Sequence, residues 1–428
     1  MSLNGKEIYS LAERLFGICR SITGPGVRET LAILQEYLPK LKIEEVATGT
    51  KCFDWNIPKE WSINDAFIIG PDGNKIANLK DNNLHIVSYS IPMDVELSLE
   101  ELKKHLYSLP DLPDAIPYVT SYYKETWGFC LSHNVLENLK EGSYKVVIDS
   151  KLENGVLNYG ELFIQGESSE EVLFSTYVCH PSMGNNECSG PSVATALASW
   201  ITNLPKRHYS YRFIFIPETI GSICYISKNL EDLQKNTIAA FNVNCVGDVR
   251  AYSFLPSIEE DSLPDNVARH VLKNLAPSYT EYSFLERGSD ERQFCSPGVD
   301  IPMASIMRSK YKNYPEYHTS KDDLDFISAK GLEESYELFK HCIIILENNL
   351  YPRAKTKCEF QLSKYGLYPS MGAQKKSIET KLIWNFLAYS NGKRSLLEIA
   401  EKLKVPAWSL IDILKRLEEK SLIEVFRK

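Results

Sequence analysis

At 428 residues, with 43% hydrophobic and 24% charged side chains, the chain has the make-up of a globular protein of two or three domains. A net charge of -8 gives no global attraction to nucleic acid or anionic membranes, and no apolar run approaches the ~20 residues of a spanning helix. The opening MSLNGKEIYSLAERLFGICR lacks the basic and apolar regions of a secretory leader, and the ten cysteines are scattered with no Cys-x-x-Cys pair. Reduced thiols and a cytoplasmic location are therefore expected.

The first predicted element is a helix with Ile8, Leu11, Leu15, Ile18 and Cys19 on one face. A Gly-Pro-Gly turn then leads into a second amphipathic helix reaching about Leu41, and KIEEVA reads as a strand. From residue 56 to 149 short β-like pieces (AFIIG, KIANL, HIVSYS, YKVVID) alternate with turn signals, the texture of an inserted, mostly β domain. Beyond Gly160, EVLFSTYV and YRFIFI are near-continuous apolar strands of the kind buried on both faces. Between them Val193, Leu197, Trp200, Ile201 and Leu204 mark a helix face. TIAAFNVNCV, the helix DNVARHVLKNL, the strand IPMASIM and a helix over 330–350 continue the alternation. Such alternation predicts an α/β domain, over 1–55 and 150–352, with a mixed, largely parallel sheet whose ligands gather at the carboxyl ends of strands.

Residues 358–428 read as three short helices and a strand-like tail, with Gly392 and Pro406 at the turns: the layout of a winged helix. Its third helix carries Asp412, Glu418 and Glu419 beside Lys415 and Arg416, an unfavourable face for phosphate contact. A packing or partner-docking role is expected there rather than nucleic-acid binding.

The chemistry-bearing residues fall at predicted strand ends. VCHPSMGNNECSG sets His180 just past one strand, FIFIPETIGS sets Glu218 past the next, and FNVNCVGD ends in Asp248 with Asn244 inside its strand. RGSDERQFCSPG and YPEYHTSKDD add Asp290, Glu291, Arg292, Glu316, His318 and Asp322. Two histidines with several carboxylates are a donor set suited to zinc, which polarises a carbonyl and activates water for a neighbouring Glu. Phosphate-loop and nucleophile-elbow patterns are absent. A Cys179–His180 thiol pair is not expected, because neighbours on a strand face opposite ways.

In order and spacing, RSITGPGVRETL, CHPS…NNECSGP, FIPETIGS, CVGD, GSDERQFCSPG and YPEYHTSKDDL resemble the zinc aminopeptidase superfamily of leucyl aminopeptidase type. They resemble more closely a bacterial aminopeptidase-like family associated with polysaccharide biosynthesis, which carries an inserted β-domain and a C-terminal winged helix. The resemblance covers nearly the whole chain. It implies metal positions at His180, Asn186 and His318 and a general base at Glu218. It also exposes departures from the di-zinc pattern: Ser182, Asn186, Thr219 and Asn244 stand where that pattern has carboxylates. Two adjacent dications need an anionic bridge, and Asn186 is neutral.

One zinc ion is thus expected, on His180 and His318, with Glu187, Asp290 or Glu316 as third ligand. Asp290, Glu291, Arg292 and Glu316 are the expected substrate contacts, and Arg308 a structural salt bridge. The expected function is hydrolysis of an amide (a peptide, aminoacyl or acyl-amino sugar), linked to surface polysaccharide by the resemblance alone. The competing expectation is a non-catalytic descendant that binds a glycan, a peptide or a partner through the cleft and winged helix.

Overall fold

The protein is described here by a computed structural model covering residues 3–367 and 378–428, so part of the predicted winged-helix segment lies outside the described residues. Contacts divide the chain into two compact units, Met1–Pro264 with Tyr279–Tyr336, and Asp265–Ser278 with Glu337–Lys428.

The first unit is organised by an eight-stranded mixed sheet. Its strands run Lys42–Ala47, Val156–Ile164, Ser210–Ile216, Glu171–Tyr177, Thr237–Asn242, Met303–Met307, Ser253–Leu255 and Thr280–Glu281 in spatial order. Glu171–Tyr177 is parallel to both its neighbours, and Thr237–Asn242 is parallel to Met303–Met307. Val156–Ile164 is antiparallel to both its neighbours and Ser253–Leu255 is antiparallel to Met303–Met307, while the edge strand Thr280–Glu281 is parallel to Ser253–Leu255. Every residue of Glu171–Tyr177 and Ser210–Ile216 is buried, which is why both read as continuous apolar runs. Two charged residues escape that pattern: Glu171 and Arg212 pair with each other at 2.8 Å inside the sheet layer.

The helix Ser189–Thr202 packs against both of these central strands, and Gly190 sets how closely it does so. A Cβ at Gly190 would stand 2.3 Å from the Val243 carbonyl oxygen and 2.5 Å from Thr176 Oγ1. The glycine of NECSG is therefore a packing requirement.

Residues 60–153 hold a second, four-stranded antiparallel sheet in which Lys75–Asn78, Glu60–Ile69, Ser143–Glu153 and Met93–Ser98 lie side by side. HIVSYS is not one of its strands; it forms only isolated bridges at Ile86 and Ser88. The first helix stops at Phe16, leaving Ile18 and Cys19 beyond its end, and the second stops at Tyr37 rather than Leu41. Leu38 carries ψ 74, which breaks the helix before the apolar pattern runs out. The helix predicted over 330–350 spans Ala329–Asn348.

In the second unit, helices Ile378–Tyr389, Leu396–Leu403 and Ile411–Glu419 precede the strand Ile423–Phe426, which pairs antiparallel with Tyr351–Ala354. His270 ties this unit internally: Nδ1 lies 2.5 Å from Glu401 and Nε2 accepts the Ala407 N–H at 2.8 Å. Among the described residues no helix is long and apolar enough to cross a membrane. All ten cysteines are free thiols, eight of them buried.

Candidate active site

Four segments leave the carboxyl ends of the sheet strands and converge. Each contains a non-glycine residue in the left-handed region: Ser182 (φ 39°), Thr219 (φ 66°), Cys245 (φ 51°) and His318 (φ 57°). For the β-branched Thr219 this is a steric outlier, and such strain costs about 1–3 kcal/mol per residue. The surrounding hydrogen bonds hold it: Asp290 Oδ1 accepts the Thr219 N–H at 2.8 Å, and Arg292 donates to Thr219 Oγ1 at 2.6 Å. Four of the twelve positive-φ non-glycine residues among the described residues thus lie in these four segments, which makes this edge a candidate site.

His180 is the centre of the cluster. Its Nδ1 lies 2.9 Å from Glu187 Oε2, and its Nε2 lies 3.6 Å from Glu218 Oε2. Burial, reinforced by the Arg20 cation, lowers the His180 pKa to about 3, so the ring is neutral at ordinary pH. With Nδ1 engaged by Glu187, the Nε2 lone pair is left to face Glu218. This is the outer carboxylate arrangement that orients metal-binding histidines.

Glu187 is held from its other side by Arg20, 3.4 Å from Oε1. Arg20 also donates to the carbonyls of His180 (2.9 Å) and Leu15 (2.6 Å). Both members of this pair are almost wholly inaccessible to solvent. Burial raises the Glu187 pKa to about 8 against the pull of Arg20, so losing Arg20 drives Glu187 to protonate and takes a donor from the His180 and Leu15 carbonyls, at a cost of about 3–5 kcal/mol. Arg20→Ala should lower unfolding stability by that amount in a denaturant titration, and a loss below about 1 kcal/mol would contradict this account.

His318 comes from a separate segment. Its ring lies 5.3 Å, centroid to centroid, from that of His180, with Tyr317 stacked on it at 3.9 Å. Burial holds its pKa well below the usual histidine range, with His180 adding to the effect. Its Nε2 is buried without a hydrogen-bond partner among the described residues, as are Asn186 Oδ1, Asn244 Oδ1 and Asp290 Oδ2. Native interiors seldom leave such atoms orphaned, so these four call for partners from outside the described side chains, water or a bound species.

Glu218 is half-buried beside Asp290, its side chain 21% exposed, and desolvation together with that like charge raises its pKa above the carboxylate range. Its backbone N–H donates to Cys179 Sγ at 3.2 Å, and Cys179 Sγ lies 3.4 Å from His180 Nδ1. The sequence argument against a Cys179–His180 contact fails because the strand ends at Tyr177, so strand alternation no longer separates them. Cys179, His180 and Glu187 lie close enough to hold an ion together. Their chemistry argues against it, since burial pushes the thiol pKa far up and Arg20 occupies the cationic position next to Glu187.

The positions that depart from the di-zinc pattern are filled by hydrogen-bonding side chains. Ser182 Oγ donates to Asn83 Oδ1 at 3.0 Å, Asn186 Nδ2 to the Tyr177 hydroxyl at 2.6 Å, and Asn244 Nδ2 approaches Ser289 Oγ at 3.4 Å. Asn244 lies two residues past its strand, which ends at Asn242, and not within it. No anion is present among these four positions to bridge two dications.

Several expected contacts have other employment. Glu291 accepts from the Gly288 and Ser289 N–H groups and from the Tyr311 hydroxyl, which makes it a loop brace. Glu316 forms a two-pronged pair with Arg250. Asp248 accepts from Ser309, and Asp322 takes the Asn185 and Asn186 N–H groups. Arg308 is indeed a salt bridge, 2.9 Å from Glu334, and lies over the Tyr252 ring.

Tyr118 and Tyr122 were not anticipated. The Tyr118 ring meets those of His180 and His318 edge-on at 5.2 Å each, and its hydroxyl lies 2.8 Å from that of Tyr122. Tyr118 N–H donates to the His318 carbonyl at 2.8 Å, which fixes the 113–126 segment over the two histidines. No periodicity in IPYVTSYYKETW signals this, because the contact spans some 200 residues of chain.

The sheet order, the strand-end cluster and the C-terminal strand–helix module define an aminopeptidase-like α/β protein with an appended winged helix. Residues 9–349 match a family described as a domain of unknown function, DUF4910, and the chain belongs to that family. Residues 349–425 match a winged helix-turn-helix family. A Clostridium acetobutylicum protein, provisionally named a polysaccharide biosynthesis protein with aminopeptidase-like domain, is 46% identical over 94% of this chain and 92% of its own length. A crystal structure of a provisionally assigned peptidase from the same organism is 42% identical and superposes with a TM-score of 0.93 over 99% of this chain and 96% of its own. BSAP, a zinc aminopeptidase from Bacillus subtilis, is 15% identical with a TM-score of 0.56 over 80% of this chain and 94% of its own, a likeness of fold.

Proposed function

We propose that the chain is a metal-dependent amide hydrolase with a mononuclear site, acting on a peptide, aminoacyl or acyl-amino sugar bond. The observation that carries this reading is the convergence of His180 Nε2, the Glu218 carboxylate 3.6 Å away and the orphaned Nε2 of His318. Two neutral imidazoles suit a borderline-soft dication such as zinc. Of the three carboxylates considered as third ligand, Glu187 is engaged by Arg20 and His180, and Glu316 by Arg250. Asp290 and Glu187 each keep one buried oxygen without a hydrogen-bond partner, and of the three only Asp290 has no ion pair among the described residues, which favours it as third ligand.

A zinc ion here would supply Lewis acidity and a bound water of pKa near 7. The chain supplies the rest. Glu218 Oε2 receives the proton released by the attacking water and returns it to the leaving nitrogen. Glu187 keeps the His180 lone pair on Nε2, and Tyr118 closes the cleft above both rings. Arg292, which is exposed and anchored on Thr219, is placed to grip a substrate carboxylate. The name of the Clostridium relative supports a setting in polysaccharide synthesis.

The test is an assay of metal-stripped and zinc-reloaded protein on aminoacyl, dipeptidyl and acyl-amino sugar amides. Zinc-dependent release of amine supports the reading. Uniform inactivity of a fully loaded protein would favour the non-catalytic binding protein, which the neutral residues at 182, 186, 219 and 244 also suit.

A further inference from the structure

We infer a second binding position, a shallow aromatic pocket for a neutral sugar ring, on the helix that begins beside Glu218. As a statement about substrate, that the amide carries a glycosyl group, it rests on the hydrolase reading; as a binding site it does not.

The two positions share one helix. Thr219 caps the helix Ile220–Asn236, and Thr219, Ile223, Ile226 and Leu230 fall at i, i+4, i+7 and i+11 on one face. The last three line a pocket of about 320 Å³, at the small end of the ~300–1,000 Å³ range of ligand clefts. Gln293 lines it too, directly after the Arg292 that grips Thr219. A second connection runs through the inserted segment, where Tyr123 follows the Tyr122 of the phenol pair.

The wall of the pocket is aromatic and open. Phe53 and Trp55 sit on the hairpin Lys51–Cys52/Trp55–Asn56 and are 49% and 41% exposed. Tyr123, 53% exposed, meets Trp55 edge-on at 5.8 Å and is pinned by its hydroxyl to the Asn56 carbonyl. Phe53 holds φ 54°, a strained conformation for a bulky residue and one fixed at the tip of the hairpin. Three large aromatic side chains left in water at one place mark an interaction surface.

The rim selects the occupant. Asp54 and Gln293 stand at the pocket with no side-chain hydrogen bond among the described residues, and no Lys or Arg lines it. A phosphate or carboxylate would meet Asp54 with nothing to offset the repulsion. An acyl chain would leave Asp54 and Gln293 unused on an open wall. A pyranose offers an apolar C–H face to Trp55 or Phe53, and equatorial hydroxyls to a carboxylate that accepts and an amide that donates and accepts.

The test is saturation-transfer NMR on the full-length protein with methyl glycosides of glucose, galactose and N-acetylglucosamine, and N-octanoylglycine as the acyl alternative. Glycosides are offered at up to ~10 mM, enough to detect a Kd of about 1 mM. At least one glycoside should receive magnetisation through its ring protons. Trp55→Ala and Gln293→Ala should each weaken it at least tenfold without lowering the melting temperature, while Glu218→Gln retains it. Absence of glycoside binding, binding unaffected by both pocket variants, or binding of octanoylglycine alone overturns the pocket assignment. Glycoside binding in a protein that hydrolyses no amide would remove the hydrolase reading and leave the pocket. Hydrolysis of plain amides without glycoside binding would do the reverse.

Discussion

Calorimetric titration of the metal-stripped protein with zinc is expected to give a single site, abolished in both His180→Ala and His318→Ala. The two rings come from separate segments with centroids 5.3 Å apart, so each substitution removes one of the two nitrogen donors. Both rings are neutral at pH 7, because burial lowers their pKa values, so binding displaces no proton from them. A thermal readout supports the titration: zinc at 100 times its Kd stabilises the folded state by about 2.7 kcal/mol, and that gain should vanish in both variants. Two sites in the wild type would mean that the neutral side chains at 182, 186, 219 and 244 tolerate a bridged pair after all. No site, with the fold intact, would remove the hydrolase reading.

Glu218→Gln is expected to lower kcat/KM by about 10²–10⁴ on any amide the wild type cleaves, while zinc stoichiometry stays at one. The split between rate and metal content separates a proton-transfer role from ligation. The pH profile carries a second signature. A general base must be ionised to act, so activity rises with pH as Glu218 loses its proton. Burial and the neighbouring Asp290 raise that pKa in the metal-free protein, and a bound zinc would lower it, so the acid limb should move to lower pH on metal loading. A Glu218→Gln variant that retains full activity would assign the base elsewhere.

The sequence by itself determined the layers and the edge at which to look. Continuous apolar runs at Glu171–Tyr177 and Ser210–Ile216 can be satisfied only by strands covered on both faces, and the helices between them force parallel crossovers. In that topology His180, Glu218 and His318 must collect at the carboxyl edge, and they do. The neutral residues at the bridging positions were also legible, since charge is a property of residue type. The partners of each carboxylate were not, because ion pairs close over long stretches of chain. Arg20 reaches Glu187 from the first helix–turn, and Arg250 claims Glu316, so residues that looked equivalent in sequence have different roles in space. The same holds for Tyr118, brought from the inserted segment onto both histidines by a backbone hydrogen bond to His318. Strand alternation misled at Cys179 for a local reason: the chain leaves the strand at Tyr177, and a left-handed turn at Ser182 then redirects it. Residue type and periodicity set the edge where the side chains meet, whereas hydrogen bonds and ion pairs between distant segments decide which of them remain free to act.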